Sequence, residues 1–197
     1  MLCFVARPCE YDEAEVLERA MQAFWKSGYD GTAMEDLLRA TEIGRQSLYN
    51  KFGDKRALFL RCLRHYHETR TQALREFFAE HRPVRAAFAR LFEGAVTQGD
   101  ERKRLGCLTL NTVMEMVSKD VEIADLLARH QRRFEDVFVE AIEAGVQRGE
   151  LPRSFDARAA GRFLVGVFFG LTALAKGDPS SPALADTARL GLTIFDK

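Results

Sequence analysis

Four side chains in the stretch TAMEDLLRATEIGRQSLYNKFGDK, from Thr32 to Lys55, have the chemistry to read base edges. Arg45 and Tyr49 stand four residues apart, as do Gln46 and Asn50, and on a helix that spacing puts the members of each pair on one face. Arginine can make a bidentate contact to guanine, and Gln or Asn can do the same to adenine. Leu48 falls on the opposite side and gives the helix an inner face. An ordinary solvated helical hairpin could carry the same polar residues. The surroundings favour base reading: a helix-turn of suitable length comes first, and phosphate-type residues, Thr32 before and Lys51 and Lys55 after, flank the face.

Two short helices must position these groups. Thr32 is a candidate N-cap for the first, since its hydroxyl can accept from open backbone N–H groups. Met34, Leu37 and Leu38 recur at helical spacing and supply one apolar face. Thr41, Glu42 and Ile43 form the expected turn, Gly44 opens the second helix, and Gly53-Asp54 breaks it before a third.

The chain from about Tyr11 to Leu63 resembles the N-terminal domain of TetR/AcrR-type transcriptional regulators. The resemblance rests on A-x-x-x-F at Ala20 and Phe24, on Gly28-Tyr29, on Thr32, and on S-L-Y-x-x-F-x-x-K at Ser47, Leu48, Tyr49, Phe52 and Lys55. It implies an all-α fold with a helix-turn-helix DNA-binding unit, phosphate contacts from Thr32 and Lys55, and Arg45, Gln46, Ser47, Tyr49 and Asn50 in or beside the groove. One departure is Gly44, where that family often has Ser or Thr; glycine is an acceptable cap but contributes no side-chain contact.

The bulk composition is compatible without pointing there by itself. The 197 residues are 47% hydrophobic and 29% charged, an ordinary globular balance with room for one or two domains. Acidic and basic residues are equal at 29 each, so only their distribution is informative. Glu10, Asp12, Glu13, Glu15 and Glu18 make the start acidic. Arg39, Arg45, Lys51, Lys55, Arg56, Arg61 and Arg64 make a basic stretch, the footprint of a phosphate-contacting surface. Cys3, Cys9, Cys62 and Cys107 have no paired spacing, which points to a reducing cytoplasm. Residues 1–9 do not make a signal peptide, and a disordered arm is expected over 1–10. The longest uncharged run, Phe163 to Ala175, is too short to span a bilayer and reads as a core helix, so no membrane is expected.

About nine helices are expected, with a DNA-binding domain over 11–54 and a ligand-binding and dimerisation domain over 55–197 joined by the long helix that starts at 55. After that helix, which should stop near Pro83, the pattern predicts helices over about 84–97, 107–118, 120–147, 156–176 and 182–195. Gln98 to Leu105 reads as a charged, mobile loop. The helix over 107–118 is apolar almost all round and should be buried.

The C-terminal half carries two further signals. Gly166 and Gly170 lie four apart amid Phe163, Val167 and Leu174, a spacing that lets another helix approach closely. A monomer core could use it, but one recognition helix needs a two-fold partner to read half-sites about 34–36 Å apart. The resemblance implies that the last two helices of each subunit pair in a homodimer, which also brings in Leu184, Ala188 and Leu192. The second signal is Cys107, Asn111 and Glu115 on one helical stripe. Buried Asn and Glu must be hydrogen-bonded, either to neighbouring elements or to a ligand in a cavity shared with Phe88, Phe92, Met114, Phe134, Phe138 and Phe168. Cys107 follows Arg102, Lys103 and Arg104 at a helix start, where thiolates are favoured, and the G-C-L-x-x-N string resembles a subgroup with electrophile- or oxidant-sensing members. A packing cysteine is the alternative.

No catalytic triad, phosphate-cradling glycine loop, zinc signature or cofactor motif is present. The residues and the resemblance together imply a ligand-responsive repressor, dimeric on double-stranded operator DNA and released by a small apolar or electrophilic effector. The alternatives are a small helical enzyme built on Asn111 and Glu115, or a helical adaptor without DNA binding.

Overall fold

Four aspartates set where helices begin. Asp12, Asp54, Asp120 and Asp156 each accept a backbone N–H from the first helical turn, at 2.9, 2.7, 3.1 and 2.9 Å, and caps of this kind stabilise a helix by about 1 kcal/mol each. The protein, a computed structural model, is described over residues 12–196. Within that range the regular elements are helical: α1 (Glu13–Ser27), α2 (Met34–Thr41), α3 (Arg45–Phe52), α4 (Lys55–Glu80), α5 (Val84–Thr97), α6 (Asp100–Leu105), α7 (Leu108–Met116), α8 (Val121–Gln147), α9 (Ala157–Gly177) and α10 (Ala183–Gly191), closed by a 3-10 turn over Leu192–Phe195. The all-α class is as expected. The arm expected over 1–10, with Cys3 and Cys9, lies outside the described residues.

The chain divides into two compact units between His65 and Tyr66, inside α4. In the first, Ala20 and Phe24 of α1, Leu37 of α2, Leu48 of α3 and Leu58 and Phe59 of α4 are fully buried. Phe24 and Phe59 meet edge to face at 4.8 Å. In the second unit Phe88, Phe92, Phe138, Ile142, Leu164 and Leu171 form the centre of the core, and burying a side chain of this size stabilises the fold by about 1.5–3 kcal/mol. At Gly161 a Cβ would sit 2.7 Å from Val139 Cγ2 and 3.3 Å from Val139 N, so this glycine lets α9 approach the α8 backbone.

Two expectations need correction. The charged run over 98–105 is not a loop: it contains α6, whose Lys103 is buried, with its ammonium donating to the Pro179 carbonyl at 2.8 Å. A run of charges reads as solvated, yet the lysine stem is apolar enough to bury when its head finds an acceptor. The helix α7 is also not buried all round. Leu108, Thr109, Thr112 and Met116 are buried, whereas Met114 is 87% exposed and Val113 and Val117 are exposed as well.

Candidate nucleic-acid interface and effector cavity

The turn between α2 and α3 is tight because each of its residues is committed. Thr41 is buried and its hydroxyl donates to the Leu37 carbonyl at 2.6 Å. Glu42 takes the left-handed conformation at φ 59, its N–H donating to the Leu38 carbonyl at 3.0 Å. Ile43 is buried beside it. Gly44 is the N-cap of α3, without a side-chain bond and with open space where a Cβ would stand.

Buried Leu48 and Phe52 fix the roll of α3. Arg45, Gln46, Tyr49, Asn50 and Lys51 are exposed, and Ser47 is half-buried. Gln46 Nε2 donates to Asn50 Oδ1 at 2.9 Å, so these two share one face as their spacing requires. Arg45 Nη2 donates to Glu35 Oε1 at 2.6 Å, which holds the guanidinium against α2. The Glu35 carboxyl lies below its usual range, through its own backbone N–H first and Arg45 second. Glu35 was not evident from the sequence as a partner, because the two residues lie on different helices.

The flanking residues divide. Lys55 Nζ stands 4.5 Å from the centre of the Tyr29 ring at the start of α4. Lys51 Nζ is 3.3 Å from a Glu13 carboxylate oxygen, and Arg61 also pairs with Glu13. Thr32 is only 1% exposed and its hydroxyl donates to the Gly28 carbonyl, closing the turn after α1. It is not the N-cap of α2: that position is Ala33, whose N–H donates to Asp36 Oδ2 at 3.0 Å. The side chain of Thr32 is therefore not presented to a phosphate.

The second unit contains a cavity of about 380 Å³, within the usual ligand-site range of about 300–1,000 Å³. Tyr66, Arg70 and Phe77 of α4 line one side, Arg90 and Leu91 of α5 another. Arg102, Cys107 and Thr109, His130 and Phe134 of α8, and Phe168 and Phe169 of α9 complete the lining. Of the residues expected there, Cys107, Phe134 and Phe168 line it. Phe88, Phe92 and Phe138 are fully buried in the core and do not. Aromatic residues at helical spacing look the same in either place. Met114 faces solvent, and neither Asn111 nor Glu115 forms part of the lining. The Asn111 amide is used structurally: Nδ2 donates to the Leu105 carbonyl at 3.1 Å and Oδ1 accepts from Lys176 Nζ at 2.6 Å.

Cys107 is the N-cap residue of α7, half-buried, with Sγ 3.6 Å from Tyr66 Oη. Burial, then the neighbouring Cys107, pushes the Tyr66 phenol up, so it stays protonated. Cys62 is fully buried, and burial pushes its thiol up too. His67 and His130 stack face to face with ring centres 3.5 Å apart. Burial lowers both, His67 to about 2 with help from His130, and His130 to about 4 with help from Arg133, so both rings are neutral at neutral pH. Among the described residues no group of three or more His, Cys, Asp or Glu could hold a metal ion.

On α9, neither Gly166 nor Gly170 has any atom outside its own helix backbone within 4 Å of where a Cβ would stand. Phe163 and Leu174 are exposed on the same helix, and Leu190 on α10. Leu184 is buried inside the chain, and Val167, Ala188 and Leu192 pack partly against its own core. The exposed apolar face therefore involves α9 more than α10.

Comparison with known proteins agrees with this architecture. The model for "Bacterial regulatory proteins, tetR family" matches residues 16–62, and that for a "Tetracyclin repressor-like, C-terminal domain" matches residues 84–190. The HTH-type transcriptional regulator YezE of Bacillus subtilis (strain 168) is 32% identical over 98% of this chain and 100% of its own length. The HTH-type transcriptional repressor ComR of Escherichia coli (strain K12) is 27% identical over 96% of this chain and 91% of its own. A cysteine mutant of the regulator CifR, solved with a 26-base-pair operator duplex, has a TM-score of 0.80 and 28% identity, covering 94% of this chain and 98% of that one. The chain belongs to the tetR family of bacterial regulatory proteins and is a DNA-binding transcriptional regulator, not an enzyme. Among its structural neighbours, two CifR cysteine mutants were solved on double-stranded operator DNA.

Proposed function

We propose that this chain is a cytoplasmic homodimeric repressor that reads its operator with the exposed face of α3 and holds a small, largely apolar effector in the cavity of its second unit. The observation that carries the reading is the cavity: three phenylalanines of α8 and α9 and the Tyr66–Phe77 side of α4 surround it. The helix α4 also carries Lys55 in its first turn. An effector that fits the released conformation better shifts the dimer toward it. The spacing of two α3 helices then no longer matches two half-sites.

In this reading Arg45, Gln46, Tyr49 and Asn50 contact bases or sugars, Ser47 lies at the edge, and Lys55 binds phosphate. The open Cβ position at Gly44 leaves the backbone there able to approach DNA closely. Lys51, engaged by Glu13, adds charge near the interface rather than a free contact. Lys55→Ala should weaken binding to specific and scrambled duplexes alike and make the salt slope shallower by about one unit per bound subunit. Isotherms at several salt concentrations measure this; an unchanged slope would remove Lys55 from the phosphate contacts.

Cys107 is the residue an electrophilic effector meets in the cavity wall. With N-ethylmaleimide its sulfur attacks the alkene carbon, a C–S bond forms, and the neighbouring carbon takes up a proton. Treated protein should release operator DNA, whereas Cys107→Ser should keep binding it after the same treatment. Mass spectrometry locates the adduct. An adduct at Cys107 with DNA binding unchanged would show that the cavity is not coupled to release. An enzyme built on Asn111 and Glu115 has no support in this geometry, since the amide is consumed within the fold and neither residue lines the cavity.

A further inference from the structure

The cavity has an apolar body with one sign of charge. Phe77, Phe134, Phe168 and Phe169 supply the body, while Arg70, Arg90 and Arg102 line it together with no aspartate or glutamate. The whole chain carries 29 residues of each sign, so an all-cationic lining is not a consequence of composition. Arg70 and Arg90 are exposed and so mark the open side, and Arg102 is half-buried. From these placements we infer that the effector is an amphipathic organic anion, a hydrophobic aliphatic or aromatic body bearing a carboxylate or similar acidic group. The inference rests on the reading of this cavity as the effector site.

The remaining polar groups suit that ligand. The Arg102 guanidinium is held below its ordinary value by burial first and by the like charge of Arg70 second, and an incoming anion relieves both. The buried His130 ring, neutral and stacked on His67, is a further lining group without charge. The protonated Tyr66 phenol in the lining is already paired with Cys107 Sγ at 3.6 Å. The hydroxyl of Thr172 is already spent on the Phe168 carbonyl at 2.9 Å. Arginine supplies planar paired donors to a carboxylate, and aromatic walls remove the ligand body from water. A cationic amphiphile would meet three like charges, and a neutral one would gain no charge attraction from them.

Three probes with the same hydrocarbon body test this: decanoate, 1-decanol and decylammonium, titrated calorimetrically into the protein. Release of a fluorescent operator duplex, selected from a random library, is followed in parallel. Decanoate should bind at least about tenfold more tightly than either other probe and release the duplex at lower concentration. Arg102→Gln and, separately, Arg70→Gln should reduce the preference for decanoate over decanol by about three- to tenfold. Thermal melting identifies a variant that has lost its fold, and the exposed Arg70 provides the reading if Arg102→Gln does. If decanol binds and releases DNA as well as decanoate, the cavity stands as effector site and the anion inference is overturned. A preference for decylammonium overturns it as well. If no probe binds, both the inference and the effector-site reading fall.

Discussion

Gly170→Leu should convert the dimer to monomers and lower operator affinity by about 10²–10⁴-fold, the advantage lost when two linked half-site contacts become independent. Apart from the helix's own backbone, no atom of the chain lies within 4 Å of the Cβ position, so a side chain can leave the helix there without a clash inside the subunit. Leucine also favours an α-helix over glycine by roughly 0.5–1 kcal/mol, so the fold should hold or gain slightly. A loss of association is then attributable to a partner helix and not to unfolding. The exposure of Phe163 and Leu174 on the same helix gives that partner an apolar surface to cover. Taken alone, α9 is long and apolar enough to cross a membrane, with only 33% of its most apolar stretch buried inside the chain; in the proposed dimer a partner helix would cover the remaining apolar face. Sedimentation and thermal melting measure both quantities. An intact dimer of unchanged dissociation constant would remove α9 from the interface.

Arg45→Ala should cost about 1–3 kcal/mol per half-site on the preferred operator and relax discrimination at one base pair, the worth of one bidentate contact. Its effect on stability should be small. The Arg45–Glu35 pair is exposed on both sides, and exposed ion pairs contribute little to folding. The pair has a second consequence. Glu35 holds the guanidinium in one direction at 2.6 Å, so Glu35→Ala should change base preference at the same position rather than uniform affinity. Binding to a panel of single-base operator variants separates the two substitutions. If Arg45→Ala reduces affinity equally for every sequence, Arg45 contacts phosphate and not a base.

Much of the first unit was legible in the sequence because local chemistry and tertiary packing agree there. Asp54 caps the long helix, Leu48 and Phe52 turn inward, and Gln46 meets Asn50 as their spacing requires. Thr32 shows where that agreement stops: threonine before a helix suits both an N-cap and a turn-closing hydroxyl, and Asp36, three residues past Ala33, supplies the cap contact instead. The cavity was less legible. Phe134 and Phe168 line it while Phe88, Phe92 and Phe138 fill the core, and helical periodicity treats all five alike. Its arginines were missed because a lone arginine on an amphipathic helix reads as solvated surface. A faint signal existed: Tyr66, Arg70 and Phe77 recur on one side of α4, mixing polar and apolar groups where a simple core face would be apolar throughout. Lys103 illustrates the same limit, since its acceptor, the Pro179 carbonyl, lies far along the chain.

The central claim is that this protein is a dimer that recognises a specific duplex through α3. Equilibrium sedimentation of the protein with a labelled duplex, selected from a random library and compared with its scrambled counterpart at several salt concentrations, tests it most directly. Two subunits should bind each selected duplex, with a steep linear fall of log affinity against log salt and at least about 10³-fold preference over the scrambled sequence. Equal affinity for both duplexes, or a single subunit bound at saturation, would contradict the account.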